Sequence, residues 1–448
     1  MQDKFDVVVI GGSAAGLTAA LTARRQYHGK SILVIRGEEN VLIPCGIPYT
    51  FGTVDGPQEN LIPDAVLDKN DLELLVDGVR AVDREAKTVV TESGRTVGYD
   101  RLILATGSNP VELPIDGADL GNIFAVKKSV PHLEEMRRKI ADADHLVIIG
   151  GGFIGVEFAD ECNKDGNTQV TIVELLPSCL AAAFDDEFCS QAEDILRSRN
   201  IDLVTSERVK AFSGNGKVEG VLLESGRTLP ADVVIQSVGV RPNSALAQEA
   251  DLEIGPTGGV DVDRAMRTSD PDIFACGDCA EKVSFFTGEP SRLWLASIAT
   301  TEARVAGANL FGITRAYPGA IGVYSTVIGD TAFATAGLTE QAAKRAGYCA
   351  VSGRSTSVNR HPGKMPGGVE LNLKLLFERQ TRVIVGGQLM GAGSGGELIN
   401  TISACIQQRM TADQIATFQT GTHPALTASP IAYQLVNAAE DAIGAMDG

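Results

Sequence analysis

The chain has 448 residues, of which 44% are hydrophobic and 21% charged. This is the composition of a soluble globular protein, and at ~100 to 200 residues per domain its length implies two to four domains. With 39 Lys and Arg against 57 Asp and Glu the formal charge is −18, which repels phosphate backbones and removes nucleic acid from the expected partners. No run approaches the roughly 18 uninterrupted apolar residues that a bilayer span requires, so no membrane association is expected. The N-terminus, MQDKFDVVVIGG, enters a strand with no room for a secretory leader, so the expected compartment is cytoplasmic. Eight cysteines in a chain this long do not form a secreted disulfide pattern; most are expected to be small buried hydrophobes.

The first element is DVVVIGGSAAGLTAALTARR, an apolar strand, a glycine turn and an alanine-rich helix. That order is the context in which a glycine fingerprint means dinucleotide binding. Gly11 would allow the turn, Ser13, Ala14 and Ala15 would follow it, and Gly16 would let helix and strand pack closely, with a diphosphate held at the positive helix end. Ser13 replaces the middle glycine. At the end of the next strand, SILVIRGEE, Arg36 stands where an acid would bind a ribose, with Glu38 and Glu39 beyond it.

The stretch NVLIPCGIPYTF (40 to 51) follows, with Cys45 between Pro44 and Pro48. The second strand, turn and helix unit is HLVIIGGGFIGVEFADECNKDG. Gly150, Gly152 and Gly155 are in full GxGxxG register, with Phe153 and Ile154 between the last two, and the following strand, QVTIVELLP, ends in Glu174. An acid there accepts hydrogen bonds from a ribose 2′-OH and repels a 2′-phosphate. The site is therefore expected to favour NADH, and a nearby Arg or Lys would let it take NADPH as well. From about residue 320 the pattern changes: VELNLKLLFE and RVIVGGQLMG read as strands beside helical runs such as LTEQAAKRAG.

Between and after the two units come YDRLILATGSNP (99 to 110), ADVVIQSVGVRPN (231 to 243) and TSDPDIFACGDCAE (268 to 281). These five motifs, in this order, resemble the FAD-dependent pyridine nucleotide-disulfide oxidoreductases over essentially the whole chain. The resemblance implies an α/β fold: two Rossmann-like dinucleotide-binding domains, one for FAD and one for NAD, plus a C-terminal α+β dimerisation domain. The implied layout is FAD domain at 1–115 and 245–318, NAD(P)H domain at 116–244, and dimerisation domain at 319–448, in a homodimer. It further implies that the first fingerprint holds the FAD diphosphate and the second the nicotinamide dinucleotide. Gly277 and Asp278 would meet the ribityl and diphosphate portion, and Ala105, Thr106, Gly107 and Gly239 would form turns beside the cofactor. Glu157 matches a glutamate near the nicotinamide and flavin rings; a plain helix-face carboxylate is the alternative.

Disulfide reductases of this superfamily carry a CxxxxC pair, whereas here the positions five before and five after Cys45 are Asn40 and Thr50. The stretch resembles the single-cysteine branch: coenzyme A disulfide reductases, NADH oxidases and persulfide or polysulfide reductases. A lone cysteine can cycle if the second sulfur arrives with the substrate, as a disulfide, or if an oxidant makes a sulfenic acid. A helix opened by Cys45 would lower the thiol's pKa, and Pro44 is expected beside the cofactor. Cys276 and Cys279 form a CxxC around the Gly277-Asp278 pair and are expected to be structural, and no metal is expected.

His423, in QTGTHPALTASP, resembles the His-Pro proton donor of two-cysteine reductases, and His361 in NRHPG is a second candidate. The family's glutamate partner is absent, since Ala428 occupies its position, as are the tyrosines of coenzyme A disulfide reductases and the fingerprint histidine of peroxidases. The expected function is an enzyme that takes hydride from NADH and, through FAD and Cys45, reduces a small disulfide, persulfide or polysulfide. The rival expectations are an NADH oxidase reducing O₂, an electron-transfer reductase of a small redox protein, and a sensing flavoprotein of negligible turnover.

Overall fold

The runs FDVVVI, ILVIR and RLILA have the near-continuous apolar pattern of strands covered on both faces, and they lie side by side in a parallel sheet. The computed structural model describes residues 3–448. It divides into two compact units, the first made of Met1–Ala143, Gly216–Val218 and Val233–Ala320, the second of Asp144–Asn215, Glu219–Asp232 and Ile321–Gly448.

In the first unit the strands Glu73–Val76, Ile32–Arg36, Asp3–Ile10 and Thr96–Leu104 run in that spatial order and parallel. Ile273–Ala275 joins Thr96–Leu104, also parallel. Register brings their carboxyl ends level: Ile10 pairs with Ile35 and Leu104, and Leu104 with Ala275. Four turns therefore leave the sheet at one edge, starting at Gly11, Gly37, Ala105 and Cys276, which is where open parallel sheets bind ligands. The helices Ala14–Gln26 and Ala296–Asn309 pack against each other over small residues. At Gly307 an added Cβ would come within 2.4 Å of the Ala19 carbonyl oxygen, so only glycine permits that approach.

The second unit repeats the strand, turn and helix theme with His145–Ile149, Gln169–Val173 and Asp202–Val204 in parallel. It also holds a five-stranded antiparallel sheet, in the order Val323–Ile328, Thr331–Gly337, Ile384–Gly391, Glu370–Glu378 and Ala350–Val358. The helices Gly395–Gln407 and Gln434–Asp447 lie on that sheet. Alternation in VELNLKLLFE thus gives a strand, as its period of two requires. Among the described residues no helix is long and apolar enough to cross a membrane.

Candidate functional site

A cleft of about 880 Å³ opens at the carboxyl edge of the first unit's sheet, within the size range of cofactor pockets. Gly11, Ser13, Arg36, Ala105, Thr106 and Gly107 line it. Gly11 has φ +115°, and an added Cβ would come within 2.2 Å of the Ala105 carbonyl oxygen. At Gly16 an added Cβ would come within 1.8 Å of the Gly11 carbonyl oxygen. The turn is thus folded onto its neighbours so tightly that glycine is obligatory at both ends. Gly16 and Ala15 are buried in the packing beneath it. Ser13 caps the helix by its backbone only, with no side-chain hydrogen bond and no acid in the first turn. The first-turn N–H donors are therefore left without a capping side chain, the arrangement that receives a diphosphate.

Two motifs 137 residues apart meet at the cleft. Thr106 Oγ1 donates to the Asn243 carbonyl at 2.6 Å, Asn243 N–H donates to the Gly107 carbonyl at 2.9 Å, and Asn243 Nδ2 donates to the Thr106 carbonyl at 3.3 Å. Ser108–Pro110 and Val240–Pro242 pair antiparallel beyond them, and Gly239, at φ +102°, accepts from Val111 N–H. Ser108 Oγ donates to Asp278 Oδ2 at 2.7 Å, which ties the ATG turn to the GDC turn. Gly277 has φ +78°, and an added Cβ would meet Ala15 Cβ at 2.7 Å. Ser108 and Asn243 lay inside quoted motifs but were not singled out from sequence.

Arg36 lines the cleft yet is not an open ligand. Its guanidinium is buried and donates to both carboxylate oxygens of Asp64, at 2.6 and 2.9 Å, and to the carbonyls of Glu38 and Glu39. Asp64, 28 residues along the chain, was not anticipated from sequence.

Cys45 is exposed and lies outside any disulfide. Asn40, Val41 and Leu42, just before it, form part of the cleft wall. The helix it was expected to open is instead two short 3₁₀ turns, Pro44–Gly46 and Pro48–Phe51, each with proline in its first position. Cys45 is the middle residue of the first turn. The turn is held from behind: Asn60 Nδ2 and Gly46 N–H both donate to the Ile43 carbonyl. An added Cβ on Gly46 would strike Asn60 Oδ1 at 2.1 Å. Pro44 is part of this turn but does not line the cleft.

Cys276 and Cys279 are fully buried. Cys279 Sγ donates to the carbonyls of Leu104 and Cys276, and burial pushes both thiols up.

The second fingerprint, in the other unit, is built alike. Gly150 has φ +103°, and Gly152 caps Phe153–Cys162 with no side-chain bond and no acid in the first turn. Glu174 is largely buried; Gly151 N–H donates to Oε2 at 2.5 Å and Leu176 N–H to Oε1 at 2.7 Å. Each oxygen keeps a second lone pair for a ribose hydroxyl. Gly155 packs inside the unit while Ile154 is exposed. The Phe153 ring stacks on Tyr324, with centroids 4.8 Å apart at 4°. Glu157 is the fifth residue of the helix and accepts from Thr326 Oγ1 at 2.8 Å. Burial pushes its carboxyl up to about 7, the Thr326 bond opposing and Glu161 adding.

The two histidine segments lie together. His361 N–H donates to the Pro424 carbonyl, and His361 Nδ1 lies 3.1 Å from the Thr427 carbonyl, which can only accept, so Nδ1 carries the hydrogen. His423 Nδ1 accepts from Ala425 N–H at 3.2 Å, which leaves the hydrogen of its neutral ring on Nε2. His423 is exposed and His361 is half-buried. Of the two, His423 therefore offers an outward N–H.

Two glycine-turn dinucleotide sites, with an exposed cysteine just past the wall of the first, define a flavin- and nicotinamide-using oxidoreductase. The pyridine nucleotide-disulphide oxidoreductase family matches residues 5–303, and its dimerisation domain matches residues 323–431. A NADH oxidase of Methanocaldococcus jannaschii is 30% identical over 97% of this chain and 98% of its own. A CoA-dependent NAD(P)H sulfur oxidoreductase of Pyrococcus abyssi is 32% identical over 87% of this chain and 88% of its own. The solved structure of an NAD-dependent persulfide reductase from A. fulgidus superposes with a TM-score of 0.91 at 33% identity, covering 99% of this chain and 84% of that one. The chain belongs to the pyridine nucleotide-disulphide oxidoreductase family, with its two Rossmann-like domains and its dimerisation domain, and is an FAD-dependent NAD(P)H oxidoreductase.

Proposed function

We propose that this enzyme reduces a low-molecular-weight disulfide, persulfide or polysulfide, with Cys45 as its redox sulfur. The observation that carries the reading is an exposed cysteine on a rigid turn beside the cleft, with Asn40 and Thr50 where a partner cysteine would stand. The sulfur and persulfide reductases among its relatives support it. In this reading residues 1–115 and 245–318 carry FAD, 116–244 NADH, and 319–448 the contacts of a cytoplasmic homodimer.

FAD, when bound, supplies hydride acceptance from NADH and return of an electron pair to sulfur. The first-turn amides after Gly11 and Ser13 hold its diphosphate, and Asp278, steadied by Ser108, accepts from its ribityl hydroxyls. Glu174 accepts from the ribose of the nicotinamide nucleotide. Cys45 thiolate attacks RS–SR′, forming a mixed disulfide and expelling one thiolate, which takes the Nε2 proton of His423 of the partner subunit in its imidazolium form, leaving the neutral ring that solvent reprotonates. Two electrons then cleave the mixed disulfide, releasing the second thiolate and restoring Cys45.

The test is anaerobic turnover of Cys45→Ser with coenzyme A disulfide, coenzyme A persulfide, glutathione disulfide and polysulfide. A fall of at least a thousandfold, with NADH bleaching of the flavin unchanged, is the expected result; undiminished reduction of every acceptor overturns the reading. The M. jannaschii relative favours a second reading, reduction of O₂. A kcat/KM for O₂ above that for every sulfur acceptor would establish it.

A further inference from the structure

Beneath the GDC turn, Lys282 and Glu302 are both fully buried and bonded to each other, Nζ to Oε2 at 3.0 Å. Two buried charges are a weak device for stability, because each loses its hydration. What this pair does fix is the orientation of one peptide segment. Lys282 Nζ spends its other donors on the carbonyls of Gly277, at 2.6 Å, and Ala280, at 2.8 Å. Glu302 Oε2 accepts from Gly277 N–H at 2.9 Å, while Oε1 has no hydrogen-bond partner. Both backbone groups of Gly277 are therefore tied to the pair, on the side of the turn away from the solvent. Gly277 is also the residue whose φ of +78°, and whose missing Cβ, which would meet Ala15 Cβ at 2.7 Å, set the path of the chain into Asp278. Glu302 lies on Ala296–Asn309, the helix packed against the fingerprint helix, so the pair references the turn to the element that bears the diphosphate amides.

We propose that Lys282 and Glu302 are a positioning pair that presets the Gly277–Asp278 turn for the flavin before the flavin binds. This rests on the assignment of Asp278 to the ribityl chain made above, and is independent of which acceptor Cys45 serves. Neither residue touches the cofactor in this account; they act through the Gly277 peptide.

The experiment compares deflavinated full-length wild type with Lys282→Met/Glu302→Gln, a double variant that leaves no buried charge unpaired, and with Asp278→Asn. The readouts are the Kd for FAD, the rise in Tm on adding FAD, and the visible spectrum of bound flavin. The double variant should keep a flavin-free Tm within a few degrees of wild type. It should bind FAD at least tenfold more weakly, with a smaller FAD-induced rise in Tm and an altered flavin spectrum. A Kd within twofold of wild type, with the wild-type spectrum, overturns the proposal. If Asp278→Asn binds FAD as wild type does, the Asp278 assignment fails. If Asp278→Asn weakens binding and the double variant does not, only the positioning role fails. Hydrogen exchange on the flavin-free wild type gives a check that needs no variant. Slow exchange of the segment containing Gly277 and Ala280 before FAD is added is expected, and exchange that slows only after FAD is added would overturn the preset turn.

Discussion

The two dinucleotide sites share one backbone plan and differ in what stands at the end of the second strand. At the first, a cation, Arg36, is closed off by Asp64 and two carbonyls. At the second, an anion, Glu174, is oriented by two backbone N–H groups and keeps lone pairs to offer. Their glycines differ too. Where the first turn has Ser13 the second has Gly152, and an added Cβ there meets nothing within 4 Å. One site is assembled like part of a core, suited to a cofactor that stays. The other offers a carboxylate with lone pairs to spare, suited to a substrate nucleotide that must leave each cycle.

The strongest way to break this comparison is to put a methyl group on each turn. Gly11→Ala adds a Cβ at positive φ and within 2.2 Å of a carbonyl oxygen, a strain the turn relieves only by moving. It should leave the protein with less than about a tenth of its flavin, if it folds. Gly150→Ala, at φ +103° in the second turn, should purify with full flavin and show its defect only in KM for NADH. Flavin-to-protein ratios after purification decide it, and equal flavin loss in both variants would erase the distinction.

A smaller effect sharpens the electrostatic half of the comparison. If Glu174 is the ribose acceptor proposed above, Glu174→Ala removes that acceptor and the charge that repels a 2′-phosphate. KM for NADH should rise about tenfold, the size of one lost charge-assisted hydrogen bond of ~1.5 kcal/mol. The NADPH to NADH ratio of kcat/KM should rise by at least as much. An unchanged ratio would mean that Glu174 only shapes the turn through Gly151 and Leu176.

Much of this was readable in the sequence because the turns are local. Gly11, Gly16, Gly150 and Gly277 declare themselves by the strands before them and the chain after them, and the alternation of VELNLKLLFE declares its strand. What was not readable depends on partners far along the chain. Arg36 looked like a misplaced ribose ligand because nothing local reveals Asp64. Thr106 and Asn243 were visible as parts of two turns, but their bonds exist only once the fold brings 106 and 243 together. Lys282, in AEKVSF, reads as an ordinary strand-edge lysine until Glu302 is placed under it. The expected helix at Cys45 gave way to 3₁₀ turns because two prolines four residues apart each start a new turn.

The last prediction is of stability alone and concerns Glu157, a further unspent carboxylate of the second unit. Its carboxyl is pushed up to about 7 by burial, against an ordinary value near 4.5 in the unfolded chain. Between those values the folded protein holds a proton that the unfolded chain has released. Stability therefore falls as pH rises through the window from about 4.5 to about 7, and the cost is complete above it. That cost is on the order of 3 kcal/mol, and Glu157→Gln, which keeps an acceptor for Thr326, should remove it. The variant should match wild type in Tm near pH 5 and exceed it by a few degrees at pH 8. A constant Tm difference across that range would show that Glu157 is ionised throughout, held by a charge or solvent path that its burial does not suggest. It would then be spent in the same way as Arg36, and the second site would lose one of the features that separates it from the first.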